Sequence, residues 1–358
     1  MPRTLRPPRG LLGMLVLMTA VEVVAGRNGP PLASPREADW IRAERVATHR
    51  ARDADFLVLG DSLAKVGVLP AVLAARSGRR GYGLAVVGGQ APSTYFLLRK
   101  ALATGSRPSR VVVDFLPSLL SRDYTYGAGQ WPLLLGFRDG LDLAWHARDA
   151  RLLARVLIGD LLPTCRLREG LRDALKAALD GVDAERDALI RGHRLNYSVN
   201  LGAMVLPDDQ RGPMTAARWF AGDHPRPWAV DPLNAHYLER FLDLAAAHGV
   251  AVRWVVMPVR GSTRAILRDR GEEARYRDYI ARIASRHPAI EVVDAAEGFA
   301  DDRFVDPVHL NRGGALALTE RLAATPEGRG IRKLAEPRAT AAATVVVEDL
   351  TRSRGRVR

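Results

Sequence analysis

Four apolar residues, Phe56-Leu-Val-Leu59, make one buried strand, and Gly60 breaks the run at once. Asp61-Ser62-Leu63 then leads into Ala64 to Arg76, whose apolar residues recur at helical spacing. A serine at such a strand-to-helix corner has its hydroxyl lifted out of the sheet and its amide pointing into the helix mouth. Backbone donors and the positive end of the helix dipole sit where an oxyanion would form. Asp61 or Ser62 would equally suit the plain capping of a helix, so the corner alone does not define chemistry.

Near the other end, Phe304-Val-Asp-Pro-Val-His-Leu-Asn-Arg-Gly-Gly-Ala315 places Asp306 three residues before His309, just ahead of a helix expected over Asn311 to Ala323. A serine hydroxyl is a weak nucleophile unless a base takes its proton, and the base needs a group that holds its tautomer and stabilises the imidazolium. Asp-x-x-His in a turn sets the carboxylate against one imidazole nitrogen and leaves the other to face Ser62. Either string alone is a weak signal; the pair, serine first and Asp-His last, is fairly specific.

This pair resembles the GDSL, or SGNH, hydrolase superfamily, with Gly60-Asp61-Ser62-Leu63 as its first block and Asp306-Pro-Val-His309 as its last. Leu84-Ala-Val-Val-Gly-Gly-Gln-Ala-Pro-Ser93 is similar to the second block. The resemblance implies Ser62, His309 and Asp306 as catalytic residues, with the amides of Ser62 and Gly89 as oxyanion hole. It brings Asp61, Gly88 and Gln90 forward as candidate substrate contacts. It covers residues 50 to 325 with a gap in the middle. The departure is the third block, usually Gly-x-Asn-Asp after a strand: here Arg110 to Val113 runs into Asp114-Phe-Leu-Pro-Ser118, with no asparagine. Divergent branches of the superfamily that acetylate or deacetylate cell-envelope polysaccharides share such an absence. Asn196 and Asn200 are the candidates for replacing that donor.

The 358 residues, 47% hydrophobic, allow one large domain or two ordinary ones. Net charge is +13, and of 53 basic residues only Lys65, Lys100, Lys176 and Lys333 are lysine. The arginines are scattered and aromatics amount to 6%, which points away from nucleic acid and remains compatible with an acidic partner. Arg3, Arg6 and Arg9 precede the apolar run Leu11 to Val21, interrupted by Glu22 and resumed by Val23-Val-Ala25. Residues 1–26 therefore read as a signal peptide or a membrane anchor, which would send the chain into the periplasm, outside the cell or onto the cell envelope. Cys165 is the single cysteine and permits no internal disulfide.

Residues 27–52 read as a polar linker becoming helical from Glu37. Strands are expected at Phe56–Leu59, Tyr82–Val87, Arg110–Phe115, Val250–Met257 and Ile290–Val293. Helices are expected at Ser93–Ala103, Asn234–Ala247 and Glu272–Arg286. This rhythm implies an α/β domain over 53–330: a three-layer α/β/α fold around a flavodoxin-like, five-stranded parallel sheet. Residues 121–231 break the rhythm and read as a mainly helical insertion, and 331–358 as a basic, flexible tail. Ligands bind beyond the carboxyl ends of such strands, where Ser62, Gly88, Gly89 and, past the fourth strand, Arg260 would converge. His146, His193 and His224 lack metal-ligand spacing, and Trp131, Trp219 and Trp228 suit packing better than a sugar platform. No metal constellation, phosphate loop or dinucleotide fingerprint is present, so no cofactor is implied.

The expected function is that of an exported serine esterase cleaving O-acyl esters of a small molecule or a polysaccharide. An O-acyltransferase acting on extracellular polysaccharide and a catalytically inactive carbohydrate-binding or scaffold protein are the alternatives.

Overall fold

The computed structural model describes residues 9–27, 32–208, 214–220, 227–325 and 330–333. Its core is one all-parallel sheet in the order β2-β1-β3-β4-β5, with β1 at Phe56–Leu59, β2 at Gly81–Gly83, β3 at Arg110–Val113, β4 at Ala251–Val256 and β5 at Ile290–Asp294. Because side chains alternate along a strand, each strand supplies both faces of the sheet. Leu57, Leu59, Val111, Val113 and Trp254 pack with Trp40, Phe96, Tyr237 and Ile280 on one side. Phe56, Val58, Val112, Val255 and Val293 pack with Leu63, Ala315 and Leu318 on the other. Both faces are covered, so the strands are mostly apolar, with Arg253 of β4 and Glu291 of β5 buried as an ion pair, and the architecture is a three-layer α/β/α fold.

β1 pairs with β2 on one edge and β3 on the other, so consecutive connections leave it in opposite directions. The crevice beyond its carboxyl end is the topological switch point of the sheet, and Gly60 to Ser62 occupy it. The expected helix from Ala64 to Arg76 is two helices, Ser62–Gly67 and Pro70–Ser77. Pro70 drives Leu69 out of the helical region, and Leu69 is extended with φ −100° and ψ 100°.

The second strand is shorter than expected. Gly81 lies where a Cβ would overlap the Phe56 ring at 1.9 Å, and the Gly83 N–H donates to Leu201 O at 2.7 Å. The inserted segment thus covers the sheet edge and ends the ladder. A sixth strand, β6 at Gly330–Lys333, adds in parallel to β5, so the sequence expected as tail from residue 331 begins inside the sheet. Residues 334–358 lie outside the described residues.

Helix Pro35–His49 is the helix expected from Glu37, and it packs into the core. Ser34 and Glu37 form a reciprocal capping box, and Trp40 is fully buried against Trp131, ring centroids 5.6 Å apart. The Trp40 indole N–H donates to Val87 O at 3.0 Å. The insertion is mainly helical, as expected, and Trp131, Leu134, Leu143 and Leu152 place it in the same core. Near the N-terminus, helix Arg9–Arg27 contains an 18-residue stretch of mean hydropathy 1.6, long and apolar enough to cross a membrane. Trp40→Ala is expected to lower the unfolding free energy by about 3–5 kcal/mol, read from urea denaturation, because the indole is enclosed on all sides.

Candidate active site

Asp61 is the N-cap of helix Ser62–Gly67. Its Oδ1 accepts the Leu63 N–H at 2.8 Å and its Oδ2 accepts the Leu116 N–H at 2.6 Å, so one carboxylate ties the ends of β1 and β3 together. Gly60 has φ 122°, and a Cβ there would stand 2.2 Å from Asp114 Oδ1 and 2.5 Å from Asp114 O. Only glycine fits that approach. Ser62 follows as the first helical residue, and its N–H has no acceptor among the described residues, as expected for the opening turn of a helix.

The second half of the site is the loop before helix Arg312–Ala324. Asp306 Oδ1 accepts the backbone N–H groups of Val308 and His309 at 2.9 and 2.8 Å. Asp306 Oδ2 lies 2.6 Å from His309 Nδ1, and His309 Nε2 lies 2.8 Å from Ser62 Oγ. Asp306 and Nδ1 fix the tautomer, so Nε2 is the basic nitrogen facing the hydroxyl. Burial would raise the Asp306 carboxyl, but its bonds to the His309 ring and to two N–H groups outweigh this and hold it below the usual range. The loop is braced from outside, where the Arg260 N–H and Thr263 Oγ1 both donate to Pro307 O, at 3.1 and 2.8 Å. The serine, histidine and aspartate singled out in the sequence therefore form one continuous relay.

Other candidates lie elsewhere or are already engaged. The Gly89 N–H donates to Val86 O at 2.9 Å in a turn and is not free to serve as an oxyanion donor. Gly89 is needed instead for close approach, since a Cβ there would stand 2.6 Å from Gly60 O. Gln90 is buried and its amide donates to Arg122 O and Asp123 O at 2.9 and 3.0 Å, which makes it a brace of the following loop. Gly88, at φ 73°, packs beside Arg36 and Tyr126. The Arg260 guanidinium turns to Asp301 O and Phe304 O, behind the histidine loop. Asn196 bonds both the N–H and the carbonyl of Val205, and Asn200 bonds Asn196, so this pair staples a turn.

Three further residues surround the relay. Asp114, fully buried, accepts the Asp61 N–H at 3.3 Å and packs against the Asp61 carboxyl. Burial and the adjacent Asp61 charge push the Asp114 carboxyl well up, so it is the member of the pair that holds a proton. Lys65, one turn after Ser62, is 1% exposed; its ammonium meets the Asp39 carboxylate, lies 3.2 Å from Gly202 O and sits over the Tyr197 ring at 4.6 Å. Trp219, on the inserted helix Ala216–Trp219, stands edge-on to the His309 ring with centroids 6.2 Å apart. Trp131 and Trp228 are buried, as packing requires. In the sequence Lys65 stands out as one of four lysines in an arginine-rich chain, Asp114 as the residue at the departed third block and Trp219 as a tryptophan suited to packing; no local pattern ties any of them to the relay.

A small cavity of about 40 Å³ lies behind Leu63 and Leu116, lined also by Val256, Met257 and Tyr276 and by the charged Arg264, Glu273 and Arg277, and none of Ser62, Asp306 and His309 lines it. A larger one, about 270 Å³, lies at the opposite end of the strands beside Phe56, Arg110 and Arg253, away from the relay. No family model and no curated protein sequence matches the chain.

Asp114 holds its proton in the folded protein to a higher pH than in the unfolded chain, so its contribution to stability is greatest below the ordinary carboxylate range and declines as pH rises toward the folded value. Asp114→Asn, a neutral isostere of the protonated acid, is expected to flatten that decline while keeping the corner intact. Asp114→Ala is expected to cost about 2 kcal/mol, because Asp61 loses its buried partner. Thermal unfolding of both variants followed from the ordinary carboxylate range upward in pH checks this.

Proposed function

We propose that the chain is an SGNH-type serine esterase that removes short O-acyl groups from an envelope polysaccharide or a related ester. The observation that carries the reading is the unbroken hydrogen-bonded line from Ser62 Oγ through His309 to Asp306. Ser62 Oγ attacks the ester carbonyl as its proton passes to His309 Nε2, and Asp306 stabilises the imidazolium through Nδ1–H. The Ser62 N–H stabilises the oxyanion, a kind of donor worth about 3 kcal/mol each. Collapse breaks the C–O bond to the alcohol, which leaves with the Nε2 proton. Water then takes the place of the alcohol: its oxygen attacks the acyl-serine, its proton goes to Nε2, and the carboxylic acid leaves as Oγ recovers the proton.

A second reading rests on Trp219. Trp219 brings an indole beside the base, and a sugar hydroxyl held there in place of water would make the chain an O-acyltransferase. Incubation with an activated acetyl ester, with and without oligosaccharide, separates the two: free acetate in both supports hydrolysis, and acetyl on the sugar supports transfer. A fluorophosphonate probe is expected to label wild type at Ser62 and to leave Ser62→Ala unmodified. Asp306→Asn is expected to lower kcat about 10⁴-fold, since it upsets the histidine tautomer. Labelling at another residue would overturn both readings, and no labelling would do so in favour of an inert scaffold protein.

A further inference from the structure

The apolar helix Arg9–Arg27 does not stand apart from the body. The Glu22 carboxylate accepts the Thr164 N–H at 2.9 Å and also meets the Thr164 hydroxyl. Ala25 is 2% exposed, and Gly26 packs on Pro163, whose ring would lie 3.4 Å from a Cβ there. The short helix Pro163–Arg166 of the insertion therefore lies alongside the last turn and a half of a membrane-length helix. Depth follows from helix geometry, since Glu22 is five residues from Arg27, or about 7.5 Å along the axis. A carboxylate inside an apolar span requires a partner, and Thr164 supplies it at that level. If the helix spans, the Pro163–Thr164 turn cannot stand clear of the bilayer.

The residues leading into that turn fit such a position. Ile158, Leu161 and Leu162, at the end of helix Ala150–Leu161, are exposed by 47, 77 and 37% among the described residues. Arg155 on the same helix and Arg27 and Arg168 at the neighbouring helix ends are exposed, as is Asp160 within the segment. Apolar side chains among arginines are what an interfacial, anionic-lipid-binding surface requires.

We propose that the body rests on the bilayer through the Ile158–Thr164 end of the insertion, which enters the headgroup zone of an anionic leaflet beside its own membrane-spanning helix. This contact is independent of the acyl chemistry and orients the insertion that carries Trp219 relative to the membrane plane.

Cys165, exposed and the single cysteine, is a native reporter on that turn. The full chain is placed in phosphatidylcholine nanodiscs containing phosphatidylglycerol, with bimane on Cys165. A Cys165→Ser/His248→Cys chain carrying bimane at 248 is the water-facing control. The Cys165 label is expected to be quenched by brominated lipid and to respond about fivefold less to aqueous iodide than the control. Leu161→Asp with Leu162→Asp is expected to raise its iodide quenching. Equal iodide quenching at the two positions would overturn the proposal. Shielding from both iodide and brominated lipid would also overturn it, since a second copy or another protein would then cover the face. So would a cellular protein released from the membrane with its N-terminus beyond Ala25.

Discussion

The Asp61 carboxylate is the contact on which the rest of the structure depends. It accepts one N–H from the helix that follows β1 and one from the segment that follows β3, and these belong to the two sides of the topological switch point. Without it, the serine corner would keep the Asp61 N–H bond to Asp114 and its apolar packing but lose both carboxylate bonds that join it to the segment after β3. Burying that charge is costly, and the fold manages it by placing a protonated Asp114 against it rather than a cation. The glycine at position 60 is a consequence, because the Asp114 carboxyl and backbone lie where its side chain would be.

A second set of bonds fixes the relay from its other end. The insertion runs across the site: Met204 N–H donates to Lys65 O, Arg312 N–H to Leu206 O, and Gly313 N–H to the Asp208 carboxylate. Helix Ser62–Gly67 and helix Arg312–Ala324, which hold the serine and follow the histidine, are thereby strapped together by chain from between them. The buried Lys65–Asp39 pair extends the same tie to helix Pro35–His49. Breaking such a pair leaves a charge uncompensated in the interior, so its loss would disturb three segments at once. Serine geometry is thus the property of the whole domain rather than of its motif.

Much of this was legible in the chain itself. Apolar runs such as Val250 to Met257 marked strands because both sheet faces are buried, and the helix at Glu272–Arg286 matched its expected bounds. Ser62, Asp306 and His309 were legible because short-range constraints require them: a glycine-broken strand end, and a carboxylate three residues before an imidazole. The role expected of Gly89 was not, since whether an amide is free depends on the turn that Val86 closes over it.

The sequence by itself determined the alternation of strand and helix, the corner at Gly60–Ser62 and the Asp306–His309 turn, all of which arise from propensities and contacts within a few residues. Only the tertiary structure decided that positions 62 and 309 meet at 2.8 Å, that Asp114 shares a burial site with Asp61, and that Trp219 reaches the imidazole. Those outcomes depend on which strands become neighbours and how a long insertion packs across them. Such long-range placement is set by the burial of the whole core, and no local pattern carries it.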